Sequence, residues 1–167
     1  MFKTKFLEFE YKNLENYKSK REYEHNIAYS LLDSLLNEQG ITEYKIIKNE
    51  NGKPYLKDLP VFFSISHTEG FCAVCISDSL VGIDCEKIDK NFEKKIPQFA
   101  NRYFLENEIN LLKKDDYNIT TFFKIWTSKE AYIKKYGYNA SYITKVDTTK
   151  EVFETIFEGE YIITIFK

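Results

Sequence analysis

The stretch 81–88, VGIDCEKI, governs the reading of this chain. Its apolar residues Val81, Ile83 and Cys85 alternate with Gly82, Asp84 and Glu86, which is the period of a β-strand. One face is apolar and the other carries two carboxylates, about 7 Å apart at a rise of roughly 3.3 Å per residue. At an effective dielectric near 20, their repulsion is on the order of 2 kcal/mol. Two readings are open: a solvated strand face, or a pair of oxygen ligands for a hard divalent cation, which would relieve the repulsion. Gly82 is small enough to let another group come close.

A third acid lies downstream. In FFKIWTSKEAYIKKYG, residues 122–137, helical spacing puts Trp126, Glu130 and Lys134 on one face. Glu130 and Lys134 form either an i,i+4 surface pair or, beside Asp84 and Glu86, a means of holding a metal-bound diphosphate. Upstream, Ser66 and His67 end a strand just before Gly70. With no nucleophile-elbow pattern around them they do not read as a hydrolase pair, and donors to a phosphate are the better functional reading. The turn NGKP, residues 51–54, places Lys53 on a loop. Cys72-x-x-Cys75 has no second pair with zinc spacing and reads as core, as does Cys85.

Around these motifs the periodicity predicts strands over 2–11, 43–48, 61–65, 71–77 and 80–86, the last two joined by a tight turn at Asp78 and Ser79. Helices are predicted over 19–38, stopped by Gly40, from Pro97 to about Lys114, and over 120–136, closed by Gly137. Three further strands are expected in SYITKVDT, EVFETIFE and EYIITIFK, within residues 141–167. Grouped rather than alternating elements argue for an α+β fold.

Of the 167 residues, 43% are hydrophobic and 17% aromatic, enough for a packed interior in one domain or two small lobes. A net charge of −2 argues against a nucleic-acid binder. No secretory leader and no membrane span are read, so the cytoplasm is the expected compartment.

The blocks NGKPYLKDLP, FFSISHTEGFCAVCIS, VGIDCEKI, RYFLENEINLL and FFKIWTSKEAYIKKYG occur in that order across residues 51–137. Together they resemble the 4'-phosphopantetheinyl transferases of the Sfp type, whose signature is G-x-D-x-E followed by W-x-x-K-E-x-x-x-K. The resemblance implies a fold of two pseudo-twofold-related α+β lobes, placed at 1–80 and 81–167, in a compact monomer shorter than the usual Sfp-type enzyme. It implies Mg²⁺-dependent transfer of 4'-phosphopantetheine from coenzyme A to a serine of an apo acyl or peptidyl carrier protein, releasing adenosine 3',5'-bisphosphate. It also implies site residues. Asp84, Glu86 and Glu130 would be the metal ligands, with Glu130 and Lys134 catalytic. Arg21, Lys53, Ser66, His67 and Lys134 would bind coenzyme A, Ser66 and His67 at its 3'-phosphate and Lys53, with Gly52 and Pro54, at its adenine end. Lys129 would support Glu130, and Glu108 would stand near the site. Two other functions remain as alternatives: a noncatalytic module binding coenzyme A or a carrier protein, and a metal-dependent phosphodiester hydrolase. On the strand reading, replacing Asp84 or Glu86 by Ala is expected to leave the fold largely intact, because a like charge is lost.

Overall fold

FCAVCI, residues 71–76, is an unbroken apolar run closed by Ser77, and every residue from 71 to 77 is buried. It is the central strand of a sheet in the computed structural model, which describes residues 1–167. This strand, β5 (Phe71–Ser77), pairs antiparallel with β1 (Phe2–Glu8) on one side and β4 (Phe62–Thr68) on the other. A strand flanked on both edges and covered on both faces favours apolar side chains, and here only the terminal Ser77 is a hydroxyl. On one face Val74 and Ile76 pack with Phe63 against Leu32, Leu35 and Leu36 of α1 (Lys20–Asn37). On the other, Phe71, Ala73 and Cys75 pack against the second sheet.

That second sheet has the order β6-β8-β7, with β6 Gly82–Lys87, β7 Glu154–Glu158 and β8 Tyr161–Phe166, all antiparallel. Its Ile83, Cys85, Ile163 and Ile165 meet the first sheet, while Ile162 belongs to the cluster formed with α4 (Ile119–Tyr136). The layers therefore run α1, sheet, sheet, α4. Two shorter helices, α2 (Ile96–Tyr103) and α3 (Glu106–Lys114), close the far side of α4 with Ile96, Ala100 and Leu112, joined by Phe104 from the link between them. A small hairpin of β2 (Ile46–Lys48) and β3 (Pro54–Leu56) carries the NGKP turn.

The α+β class and the main elements follow the sequence reading, but β3 adds an unexpected strand and three expected features differ. The turn at Asp78 and Ser79 links β5 to β6, but those strands lie in different sheets. The expected helix from Pro97 to Lys114 is broken at Phe104–Leu105 into α2 and α3. SYITKVDT is not a strand: Ala140–Lys145 forms 3₁₀ turns with Ile143 buried. The carbonyls of Ile143 and Val146 accept from the buried Lys129 ammonium instead of pairing with a neighbouring strand. All three cysteines are buried free thiols. No helix is long and apolar enough to cross a membrane.

Candidate active site

What comes close to Gly82 is a helix backbone. A Cβ at this position would fall 1.9 Å from the Ala131 carbonyl oxygen and 2.6 Å from the Lys135 nitrogen. The missing side chain lets α4 lie directly on β6, which brings Lys134 over Asp84.

Three elements then meet at one carboxylate. Asp84 is buried, and its Oδ1 lies 2.6 Å from the Lys134 ammonium. Ser66 on β4 donates its hydroxyl to the same oxygen at 2.8 Å and accepts from Lys134 at 2.9 Å. Asp84 Oδ2 is buried with no partner at all. The contact belongs to a ladder. Ser64 Oγ accepts the Ile83 N–H at 3.0 Å, and Thr68 donates to Glu86 Oε2 at 3.3 Å. The alternating hydroxyls of SISHT thus line β4 where it runs beside β6.

The cluster has too little positive charge. Burial, and then the charge of Asp84, pushes Glu86 up to about 7 against the opposing Trp126 indole and Lys134. Burial and Asp84 push Glu130 up to about 7 in the same way. For Lys134, burial favours the neutral amine, but Asp84 and then Glu130 outweigh it and hold the ammonium above its ordinary range. One ammonium therefore serves three carboxylates, two of them partly protonated near neutrality.

No three His, Cys, Asp or Glu side chains are gathered closely enough to enclose a cation as they stand. The donor set is nevertheless all oxygen, which suits Mg²⁺ or Ca²⁺ rather than a thiolate- or imidazole-seeking metal. The orphaned Asp84 Oδ2 fits the same ion, because a buried lone pair without a partner is costly.

Beside this cluster lies a cavity of about 270 Å³ between the NGKP turn, β4 and the end of α4. Lys53 and Lys134 both line it, with Ser64, Ile65 and Tyr138. Lys53 donates to the Lys135 carbonyl at 2.5 Å, and burial pushes its amine down to about 8. Gly137, with φ at 68°, ends α4 against the Lys53 stem. The cavity therefore presents two amines beside an acidic cluster, an arrangement suited to a polyanion and a divalent cation together.

Residues 80–164 match the family model described as the 4'-phosphopantetheinyl transferase superfamily. The chain belongs to that superfamily. It is 36% identical over 128 residues to a 4'-phosphopantetheinyl transferase, gsp, of Aneurinibacillus migulanus, covering 68% of this chain and 52% of the relative. It is 38% identical over 101 residues to the transferase Sfp of Bacillus subtilis strain 168, covering 58% and 42%. To the transferase AcpT of Escherichia coli K12 it is 33% identical over 115 residues, covering 63% and 55%. The chain spans about half the length of these curated relatives.

The superfamily match takes in Asp84, Glu86, Glu130 and Lys134, and starts after β5, so Lys53, Ser66 and His67 fall outside it. Of those three, Ser66 joins the Asp84 cluster and Lys53 lines the cavity. His67, on the opposite face of β4, turns to α1, where its Nδ1 lies 3.2 Å from Glu24 Oε2. Adjacent strand residues point to opposite faces, so Ser66 and His67 do not form one donor pair. Arg21 is exposed in the first turns of α1, four residues before His25.

Lys129 and Glu108 stand apart from the acids. They form a fully buried ion pair at 2.7 Å. Glu108 also accepts from the Leu105 and Thr148 backbone and the Thr148 hydroxyl. A helix turns about 100° per residue, so Lys129 points into the core while Glu130 faces β6. Lys129 therefore joins α4 to α3 and the 3₁₀ turns rather than supporting Glu130. Sequence reasoning missed Ser64, Thr68 and the Trp126–Glu86 contact of 3.4 Å, although the hydroxyl alternation in SISHT was there to be read.

Proposed function

We propose that this protein transfers the 4'-phosphopantetheine arm of coenzyme A to a serine of an apo acyl or peptidyl carrier protein. The observation that carries the reading is the Asp84–Ser66–Lys134 cluster, with its unpartnered Asp84 Oδ2, opening beside a cavity lined by Lys53 and Lys134. Family membership and the relatives' names support it. In this reading residues 1–80 and 81–167 are two pseudo-twofold-related lobes of a monomeric cytoplasmic enzyme, with the site at their junction.

In the transfer, the serine oxygen forms a bond to the phosphorus that carries the pantetheine arm. The bond from that phosphorus to the bridging oxygen breaks, adenosine 3',5'-bisphosphate leaves with the electron pair, and the serine proton goes to a base. Glu130, held near 7, suits that base, because a proton acceptor works best close to the operating pH. Lys134 stabilises the charge gathering on the phosphoryl oxygens. Lys53 holds the nucleotide end in the cavity. Asp84, Glu86 and Glu130 would hold Mg²⁺, which when bound neutralises the diphosphate.

The test is incubation with coenzyme A, Mg²⁺ and purified apo carrier proteins, followed by intact-mass measurement. A phosphopantetheine mass gain on the carrier is expected. No gain on any carrier of a panel, with a control transferase active, sinks the proposal. The contact of Lys134 with Asp84 favours one other reading, a binding module in which Lys134 already occupies the Asp84 carboxylate. Calorimetry showing coenzyme A bound without turnover would select that alternative.

A further inference from the structure

The side of α4 turned away from the acids borders a second cavity. Thr121, Lys124, Ile125 and Ser128 recur at helical spacing and share one face. Two residues from Ser128 in either direction, at about 100° each, the helix carries Trp126 and Glu130 on its opposite side. With α3 and β7, the Ser128 face borders a cavity of about 510 Å³. That volume lies in the range of small-molecule clefts, roughly 300–1,000 Å³. No residue lines both this cavity and the one beside Lys53 and Lys134.

One hydroxyl here is left without a partner. Ser128 is only 6% exposed, lines the cavity, and makes no hydrogen bond within the protein. Its neighbour shows the alternative. Thr127 donates to the Phe123 carbonyl at 2.8 Å and meets the Thr164 hydroxyl at 2.6 Å. Thr155 pairs with Thr164 across β7 and β8, so it stands on the sheet face turned toward α4, and it too lines the cavity. A buried hydroxyl without a partner is costly, and an oxygen of a ligand would relieve it.

The rim sets the charge. Lys114 from α3 and Lys124 from α4 both line the cavity, and neither is held in an ion pair. Lys124 lies over the Phe157 ring instead, 5.6 Å from its centre. Asp115 is the one acid present, and its carboxylate accepts from the Thr121 hydroxyl at 2.5 Å. Two ammoniums against one carboxylate leave a single positive charge, which suits a monoanion. The remaining lining is partly apolar, with Ile125 buried and Leu111 exposed.

We propose that this cavity binds a small monocarboxylate with an apolar body. The carboxylate takes the Ser128 hydroxyl and the Lys124 ammonium, which stand one helical turn apart, and the body lies against Ile125 and Leu111. Lys114 adds long-range attraction from α3. A phosphate would ask for more charge than the rim supplies and would leave the apolar lining bare. The inference is independent of the transferase reading, because the acids lie on the other side of α4.

The test is titration calorimetry with octanoate, octanol and inorganic phosphate as probes. Octanoate should bind, octanol about tenfold more weakly, and phosphate not at all. Ser128→Ala removes the hydroxyl and keeps the helix, since alanine is the better helix former. It should weaken octanoate about tenfold, as should Lys124→Gln. Lys114→Gln should weaken it less, and only at low salt. Octanol binding as tightly as octanoate overturns the anion assignment, and so the proposal. Unchanged octanoate affinity in Ser128→Ala overturns the placement in this cavity. Amide shifts of the wild type locate the ligand without any variant. Movement at Ser128, Thr148 and Thr155 is expected, with Ser66 and Asp84 unmoved. Movement confined elsewhere, or none with octanoate at millimolar concentration, overturns the proposal and leaves the transferase reading as it stands.

Discussion

Asp84 and Lys134 are held 2.6 Å apart across the contact of β6 with α4, and Ser66 joins them from β4. This pair changes the expectation drawn from the strand pattern, in which loss of either β6 carboxylate relieves a repulsion. Asp84 is the partner of Lys134, whereas Glu86 has only long hydrogen bonds to Trp126 and Thr68. Lys134→Met strands a buried carboxylate and should cost about 3–5 kcal/mol in urea denaturation. Asp84→Ala should destabilise as well, by less, because the Lys134 side chain is 30% exposed and can turn to water. Glu86→Ala should stay within about 1 kcal/mol of the wild type. All three should lose transfer activity.

Gly82 offers the sharpest steric prediction. A methyl group added there would collide with the backbone of α4 at Ala131 and Lys135, which cannot rotate away. Gly82→Ala should destabilise by about 1–3 kcal/mol or more, seen as a lowered melting temperature. A variant as stable as the wild type would mean that α4 can lift from β6. In that event transfer activity should still fall, because Lys134 would leave Asp84.

The buried Lys129–Glu108 pair should matter for stability. Lys129→Ala leaves a fully buried carboxylate and should cost about 3–5 kcal/mol. The paired replacement of Lys129 by Met and Glu108 by Leu should be less damaging than the sum of the single changes. It will not be neutral, since the Leu105 and Thr148 donors lose their acceptor. A double-mutant cycle in urea measures the coupling. Near-zero coupling would deny the pair its role in joining α3 to α4.

Lys53 predicts a pH dependence of binding. Burial lowers its amine to about 8, so the charge is present below that value and lost above it. Affinity for coenzyme A should therefore weaken as pH rises through about 8. Lys53→Arg keeps its charge at any such pH and should flatten this limb of the profile. Titration calorimetry across the range, compared with the wild type, checks the assignment. A wild-type profile with no weakening would place the nucleotide away from Lys53.

Local pattern made much of this protein legible. The period-two run of VGIDCEKI, the apolar run FCAVCI and the Gly137 stop of α4 each act within a few residues. SYITKVDT misleads because its apolar residues suit a strand as well as 3₁₀ turns. The deciding partner, the Lys129 ammonium, comes from another element. The expectation for Lys129 itself fails for a related reason: spacing puts it next to Glu130, and only packing shows that it enters the core.

By itself the sequence determined the strand bearing two acids, the helix bearing a third with its lysine, and the α+β class. Hydrophobic period and capping are properties of neighbouring residues, so they can be read without a fold. Tertiary structure alone decided that β6 and α4 touch through Gly82, that Lys134 closes on Asp84 and Ser66, and that His67 turns away to Glu24. Those contacts join residues 18 to 68 positions apart, and chain spacing carries no record of which distant side chain will share a buried charge.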